Sequence, residues 1–255
     1  MYFINTRPLD RADELTQALA AQGFRVECLP LLELVEQPFD AHLNALYQDL
    51  THAQVIVVVS PTAVEIGMRY LQRAGLTLQD VAQADWIAVG QQTAQTLSHY
   101  GIQAHVPTIE SSEGMLHLPV FETQSALHRV AFWRGEGGRQ FMMQHLAEQG
   151  IQILNFVLYD RRCPLASKQQ IGNIAAKIKE QKQRAWVLIS SEASWLNWLA
   201  LTQHDTPFFD LCDYVVLGER LEQILTIYQN QSSQSFTIIR VENLKAATLL
   251  RHLQA

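Results

Sequence analysis

Three groups of residues in the 255-residue chain have the types and spacing that chemistry needs. The first is a pair of loops, Thr6-Arg7-Pro8-Leu9-Asp10 and Arg134-Gly135-Glu136-Gly137-Gly138-Arg139, each placed where an apolar run gives way to a helical pattern. At such a strand-to-helix turn the free backbone N–H groups and the helix dipole favour an anion. Glycines at 135, 137 and 138 let a ligand approach the backbone closely, and Arg134 and Arg139 flank them. The second group is a set of hydroxyls at other strand ends: Ser60-Pro61-Thr62, Thr93 three residues after Gly90, and the stretch from Thr108 to Ser112. Hydroxyls at helix starts commonly cap orphan N–H groups, and the same oxygens leave a polar edge for a ligand. The third is Tyr159, which closes the run Ile151–Leu158 and precedes Asp160-Arg161-Arg162. A phenol keeps its proton at neutral pH. A tyrosine there is either a half-buried packing residue with a wet hydroxyl or a proton donor to a departing hydroxide.

Much other chemistry is excluded. The nine histidines form no His-Glu-x-x-His pair, and neither a Gly-x-Ser-x-Gly elbow nor a Gly-Lys-Ser/Thr phosphate loop occurs. Gly135-x-Gly137 begins a dinucleotide-binding motif, but Gln140 stands where the helix-packing glycine belongs, so a nucleotide is the weaker reading. Cys28, Cys163 and Cys212 are odd in number and scattered, which fits neither a disulfide framework nor a zinc site and suits a reduced cytoplasm. Lys+Arg 19 against Asp+Glu 25 leaves a net charge of -6, which argues against a nucleic-acid partner. That total hides an asymmetry: Arg129 to Arg184 holds ten cations and four acids, a local +6. The N-terminus reads as strand then helix, not as a signal peptide. The longest strongly apolar stretch, Val55 to Val59, falls far below the ~20 residues of a membrane helix, so no membrane association is expected.

The elements that must position these side chains are legible as alternation. At 48% hydrophobic and 17% charged, the chain can build real cores, and its length suits one and a half to two domains at roughly 100–200 residues each. Strands are expected at Tyr2–Asn5, Arg25–Cys28, Gln54–Val59, Trp86–Val89, Ala104–Val106, Val130–Trp133, Ile151–Leu158, Trp186–Ile189, Tyr214–Leu217 and Phe236–Ile239. Between them lie amphipathic stretches such as Arg11–Gln22, Ala63–Arg73, Gln92–His99, Arg139–Gln149, Lys168–Lys182 and Leu244–His252, with Leu15 and Leu19, or Phe141, His145 and Leu146, on one face. Strand and helix in turn predict an α/β fold with mainly parallel sheets.

The chain also repeats itself. Residues 3–34 run parallel to 130–161 at a shift of 127, 55–67 parallel to 186–198, and 86–97 parallel to 214–225. A period near half the chain means two equivalent halves, expected to face each other across a ligand cleft. Proline-containing segments, Leu34 to Pro38 and Arg161 to Pro164, are the candidate extended crossings.

Together these motifs resemble the uroporphyrinogen-III synthase family. The matching residues are Thr6-Arg7-Pro8, Leu29-Pro30 with Leu34, Ser60-Pro61-x-Ala63, Ala88-Val89-Gly90-x-x-Thr93-Ala94, Ser112-Glu113-Gly114, Arg134-Gly135-Glu136-Gly137-Gly138-Arg139 and Tyr159-x-Arg161, in family order along the whole chain. The resemblance implies two flavodoxin-like α/β lobes with parallel sheets, 1–35 plus 165–255 and 36–164, joined by two extended crossing strands with an open cleft between. It implies a cofactor-free lyase that closes hydroxymethylbilane, a linear tetrapyrrole octa-acid, to uroporphyrinogen III with loss of water and inversion of ring D. It implies Tyr159 as the group assisting hydroxide departure, and Arg7, Ser60, Thr62, Thr93, Arg134, Gly137, Gly138, Arg139 and Ser190 as substrate contacts. The second half departs from the family pattern: Ser190-Ser191-Glu192 stands in place of serine then proline, and Leu221 in place of a common hydroxyl. A monomer with no metal, in transient contact with the preceding pathway enzyme, completes the expectation. The reading left open beside it is a non-catalytic two-lobed binder of a polyanionic metabolite or nucleotide.

Overall fold

A computed structural model describes residues 1–122, 127–137, 140–232 and 234–254. The chain opens with β1 (Tyr2–Asn5), α1 (Asp13–Ala21), β2 (Arg25–Cys28) and β3 (Glu33–Glu36). It continues through α2 (Ala41–Leu50), β4 (Val55–Val58), α3 (Pro61–Arg73), β5 (Asp85–Ala88), α4 (Gln91–Ser98), α5 (Ser112–Leu116), α6 (Pro119–Glu122), β6 (Arg129–Gly135), α7 (Phe141–Glu148) and β7 (Gln152–Arg162). It closes with α8 (Leu165–Glu180), β8 (Ala185–Ile189), α9 (Glu192–Thr202), α10 (Thr206–Phe209), β9 (Cys212–Leu217), α11 (Gly218–Ser232), β10 (Ile238–Val241) and α12 (Ala246–Leu253). Contacts divide it into two compact units, Met1–Glu33 with Arg162–Ala255, and Leu34–Arg161.

The first unit holds a sheet in the order β10-β9-β8-β1-β2, with every one of these pairings parallel. Counted along the sheet from β2, this is the doubly wound 2-1-3-4-5 order, whose reversal point lies between β1 and β8. Helices cover both faces, so the inner strands β1, β8 and β9 are largely buried, and β8 reads as the continuous apolar run Ala185–Ile189, while the edge strands β2 and β10 stay partly exposed.

The second unit repeats that plan. Its sheet runs β3-β7-β6-β4-β5, with the β7–β6, β6–β4 and β4–β5 pairs parallel. β6, α7 and β7 take the places of β1, α1 and β2, and β4 and β5 those of β8 and β9. The register confirms the internal repeat: Val130 pairs with Val55 as Phe3 pairs with Trp186. Two buried clusters flank this sheet, one rich in aromatics around Tyr47, Trp133 and Phe156, the other around Phe132 and Met142.

Several expectations need correction. Ala104–Val106 is no strand; only a bridge from His105 to Ile87 forms, and Pro107, which cannot donate to a ladder, follows at once. On α7 the core face is Met142, Met143 and Leu146; Phe141 is exposed and stacks on His145 at 6.0 Å. β3, expected only as an extended crossing, is a true strand on the outer edge of β7, where Gln37 N–H donates to Leu158 O at 2.9 Å. β7 runs seamlessly into the other crossing, as far as Arg162.

Candidate active site

In an open α/β sheet the carboxyl ends of the strands beside the reversal point form the natural ligand crevice. In the second unit these are the ends of β6 and β4, which lead into the 135–137 loop and into Ser60. A β-bulge sharpens this corner. Arg134 pairs with Val157, yet Gly135 pairs with Tyr159, so one extra residue is accommodated on β7 and both Leu158 and Tyr159 are buried. The bulge brings the Tyr159 ring onto Gly135, where a Cβ would lie 2.4 Å from a ring carbon. Only glycine tolerates that approach. The Tyr159 hydroxyl meets Ser60 Oγ at 2.9 Å, and the Arg161 guanidinium lies 5.8 Å from the ring centroid.

Tyr159 lines a cavity of about 170 Å³ whose wall combines apolar Phe132, Met115, Met142 and Met143 with Arg134 and Arg161. Apolar side chains beside guanidinium groups suit a ligand with both apolar and acidic parts. Gly137 lines it too, with φ +73, a left-handed conformation that favours glycine.

The remaining expected residues divide by position. Ser60 caps α3, accepting from Ala63 N–H at 3.1 Å, with Pro61 at the first helical position. Thr62 stands half-exposed in the first turn of α3, and Thr93 is buried near the start of α4; neither lines the cavity. Because the α4 cap residue is Gly90, that helix start is held from outside: Glu110 Oε1 accepts from Gln91 N–H at 2.9 Å. Arg134 is buried at 5% exposure, and its guanidinium donates to Gly137 O and, at 3.5 Å, to Asn155 Oδ1. Gly138 and Arg139 lie outside the described residues.

Arg7 and Ser190 belong to the first unit. Arg7 follows β1, its N–H donating to Asn5 Oδ1 at 3.3 Å, and lines a separate cavity of about 260 Å³ with Glu14 and Lys245. Ser190 precedes Ser191, whose hydroxyl caps α9 and exchanges hydrogen bonds with Ser194 in a capping box. Among the described residues no three His, Cys, Asp or Glu side chains converge on a metal-sized site, and no helix is long and apolar enough to cross a membrane.

Sequence reading missed the methionine wall and the part of Gly135 and Arg161 in holding the phenol. The paired methionines Met142-Met143 carried a signal only as core, and a bulge leaves none.

Comparison with known proteins gives a coherent picture. A family described as uroporphyrinogen-III synthase HemD matches residues 13–232. A uroporphyrinogen-III synthase from Synechococcus elongatus is 29% identical over 164 residues, 63% of this chain; the chain spans 61% of that relative's length. Among solved structures, a mutant uroporphyrinogen III synthase of the extremely thermophilic bacterium Thermus thermophilus superposes with TM-score 0.67 at 13% identity, covering 99% of this chain and 97% of that one. Uroporphyrinogen-III synthetase of Helicobacter pylori 26695 gives TM-score 0.57 at 14% identity over the full length of both chains. At these identities the structural likeness speaks for the fold.

Proposed function

The chain belongs to the uroporphyrinogen-III synthase family, and from that premise we propose that it closes hydroxymethylbilane to uroporphyrinogen III, releasing water and inverting ring D. The observation that carries this reading is the Tyr159 hydroxyl, held on Ser60 at the wall of a cavity lined by apolar side chains and two arginines. A pyrrole nitrogen of the substrate pushes its electron pair toward the hydroxymethyl carbon, the C–O bond breaks, and Tyr159 supplies the proton that lets the oxygen leave as water. Ring D then attacks the exposed methylene through its substituted carbon, and the spiro intermediate reopens and recloses with the ring turned over. The proton that ring D loses on rearomatising restores the phenol. Substrate nitrogens provide the electrons, so the protein's contribution is proton transfer at one atom and control of which ring-D carbon attacks.

Binding follows from charge placed locally. Arg161 and the 135–137 loop in the second unit, and Arg7 and Ser190 in the first, are the proposed carboxylate contacts, with Thr62, Thr93, Gly138 and Arg139 as further candidates; Ser60, at the start of α3, serves Tyr159 instead. A chain of net charge -6 holds an octa-acid in this way without a basic surface. A cytoplasmic monomer taking its substrate from the preceding enzyme of the pathway is part of the same proposal.

The test is the product isomer. Given hydroxymethylbilane and no added cofactor, the purified protein is expected to yield the type III isomer in place of the type I product of spontaneous closure. Type I alone, together with tight polyanion or nucleotide binding by calorimetry, would instead establish a non-catalytic binder.

A further inference from the structure

Ser60 sits in two hydrogen bonds that pull in one direction. Its Oγ accepts from Ala63 N–H at 3.1 Å, at the N-terminus of the thirteen-residue helix α3, and meets the Tyr159 hydroxyl at 2.9 Å. A serine hydroxyl has one proton and two lone pairs, and accepting from a helix N-terminus polarises its O–H into a better donor. Opposite, the Tyr159 ring is pressed on Gly135, where a Cβ would stand 2.4 Å from Cε2 and 2.5 Å from Cζ. With Arg161 near the ring, Tyr159 is 1% exposed and fixed at the hydroxyl and at the ring. Unlike the core phenol of Tyr47, the Tyr159 side chain so held lines a cavity.

Resting on the cyclase reading, we propose that Ser60 is a positioning residue which, with Gly135 as backstop, aims the Tyr159 hydroxyl and donates a hydrogen bond to its oxygen when the proton has been given up. Ser60 then acts through Tyr159 and not on the substrate. The proton balance is closed: Tyr159 O–H protonates the leaving hydroxide, Ser60 O–H stays with Ser60 and solvates the phenolate, and the proton released by ring D returns to Tyr159.

Two measurements test this, one of them independent of turnover. The first compares Ser60→Gly, Ser60→Thr, Tyr159→Phe and the Ser60→Gly/Tyr159→Phe double variant, each checked for folding by circular dichroism. Glycine is nearly as good a cap as serine, so α3 survives the change. Ser60→Gly is expected to lower kcat roughly tenfold with KM within about twofold, and Ser60→Thr to restore most of it. In the Tyr159→Phe background, Ser60→Gly is expected to cost no further activity. A raised KM with unchanged kcat would make Ser60 a substrate contact, and multiplying losses in the double variant would make it independent of Tyr159; either overturns the proposal. Should Ser60→Gly fail to fold, Gly135→Ala, which leaves the α3 cap intact, is expected to lower kcat in the same way; unchanged kcat there counts against the proposal. The second measurement places 3-fluorotyrosine at 159 and records its fluorine resonance without substrate. One narrow line that broadens or splits in Ser60→Gly supports positioning; an unchanged line overturns it. If the wild-type protein makes no type III isomer the cyclase reading falls, while the fluorine spectrum still judges the positioning.

Discussion

Arg7 and Arg134 occupy equivalent places in the two halves, 127 residues apart, and the structure gives them opposite employment. Arg134 is buried and spends its guanidinium on Gly137 O and Asn155, so it builds the loop it follows into. Arg7 is half-exposed, and its guanidinium has no ion-pair or hydrogen-bond partner among the described residues. Arg134→Met is therefore expected to lower stability by about 1.5–3 kcal/mol, the range for hydrogen bonds to a charged group. Arg7→Ala is expected to raise KM while leaving the unfolding midpoint in place. Urea melts and steady-state kinetics of the two variants check this, and a KM effect confined to Arg134→Met would reverse the assignment. From sequence the two arginines look alike, because both follow a strand and precede a helix. What separates them is whether a carbonyl lies within reach, and that depends on the left-handed turn at Gly137 and on Asn155 across the sheet. Tyr159 was legible as a strand-end phenol, whereas its bond to Ser60 spans 99 residues and no local pattern encodes it.

At the scale of elements, the strands were the plain part of the sequence, since runs such as Val55–Val58 are β-branched and bounded by turn residues. The helices were less even. α9 has no amphipathic signature, because Trp195, Leu196, Trp198, Leu199 and Leu201 give it apolar residues nearly all round, which erases the 3.6-residue period. α3 shows how an element carries a constraint that its own periodicity hides. Gly67 lies in its interior, and alanine at such a place ordinarily adds about 1 kcal/mol of helix stability. Here a Cβ would come within 2.1 Å of the Trp133 ring, which is buried between α3 and the aromatic cluster, and Tyr47 OH donates to Gly67 O at 2.9 Å. The sign is expected to invert: Gly67→Ala should destabilise by about 1–3 kcal/mol through overpacking. A calorimetric melt that rises instead would mean that Trp133 moves aside at no cost.

Across the whole molecule the duplicated plan carries an unequal distribution of titratable groups, and this sets how each unit responds to pH. Burial pushes the Tyr47 phenol well above its ordinary value in the second unit; in the first, burial does the same to Tyr214 and to the Cys212 thiol. Groups raised in this way hold their protons when the unfolded chain releases them, so both units lose stability as pH climbs past about 8.5 for the thiol and about 10 for the phenols. On the acid side the first unit carries a partnered carboxylate. Asp213, on β9 of the first unit, is buried, which by itself would raise its pKa. Hydrogen bonds from Arg184 at 2.6 Å and from Thr237 N–H at 2.7 Å, with the guanidinium charge, outweigh burial and hold it below the usual carboxylate range. Asp80 in the second unit is also lowered, by hydrogen bonds from the Thr77 backbone and side chain, but it is exposed near the start of a short turn, where solvent screening leaves it little influence on stability. A depressed carboxylate stabilises the fold above its unfolded value, about 4, and that contribution disappears as pH falls through the lower folded value. Acid is therefore expected to open the first unit through the β8–β9 region, where Arg184 and Asp213 meet. Urea midpoints are expected to stay level between about pH 5 and 8 and to fall below about pH 4. Asp213→Asn should be weaker than wild type at neutral pH, yet decline less steeply below pH 4, since it has no proton left to take up; parallel declines in the two proteins would place the acid-sensitive group elsewhere. Hydrogen exchange at pH 3.5 gives the spatial half of the same test: amides of β8 and β9 should open ahead of those of β4 and β6.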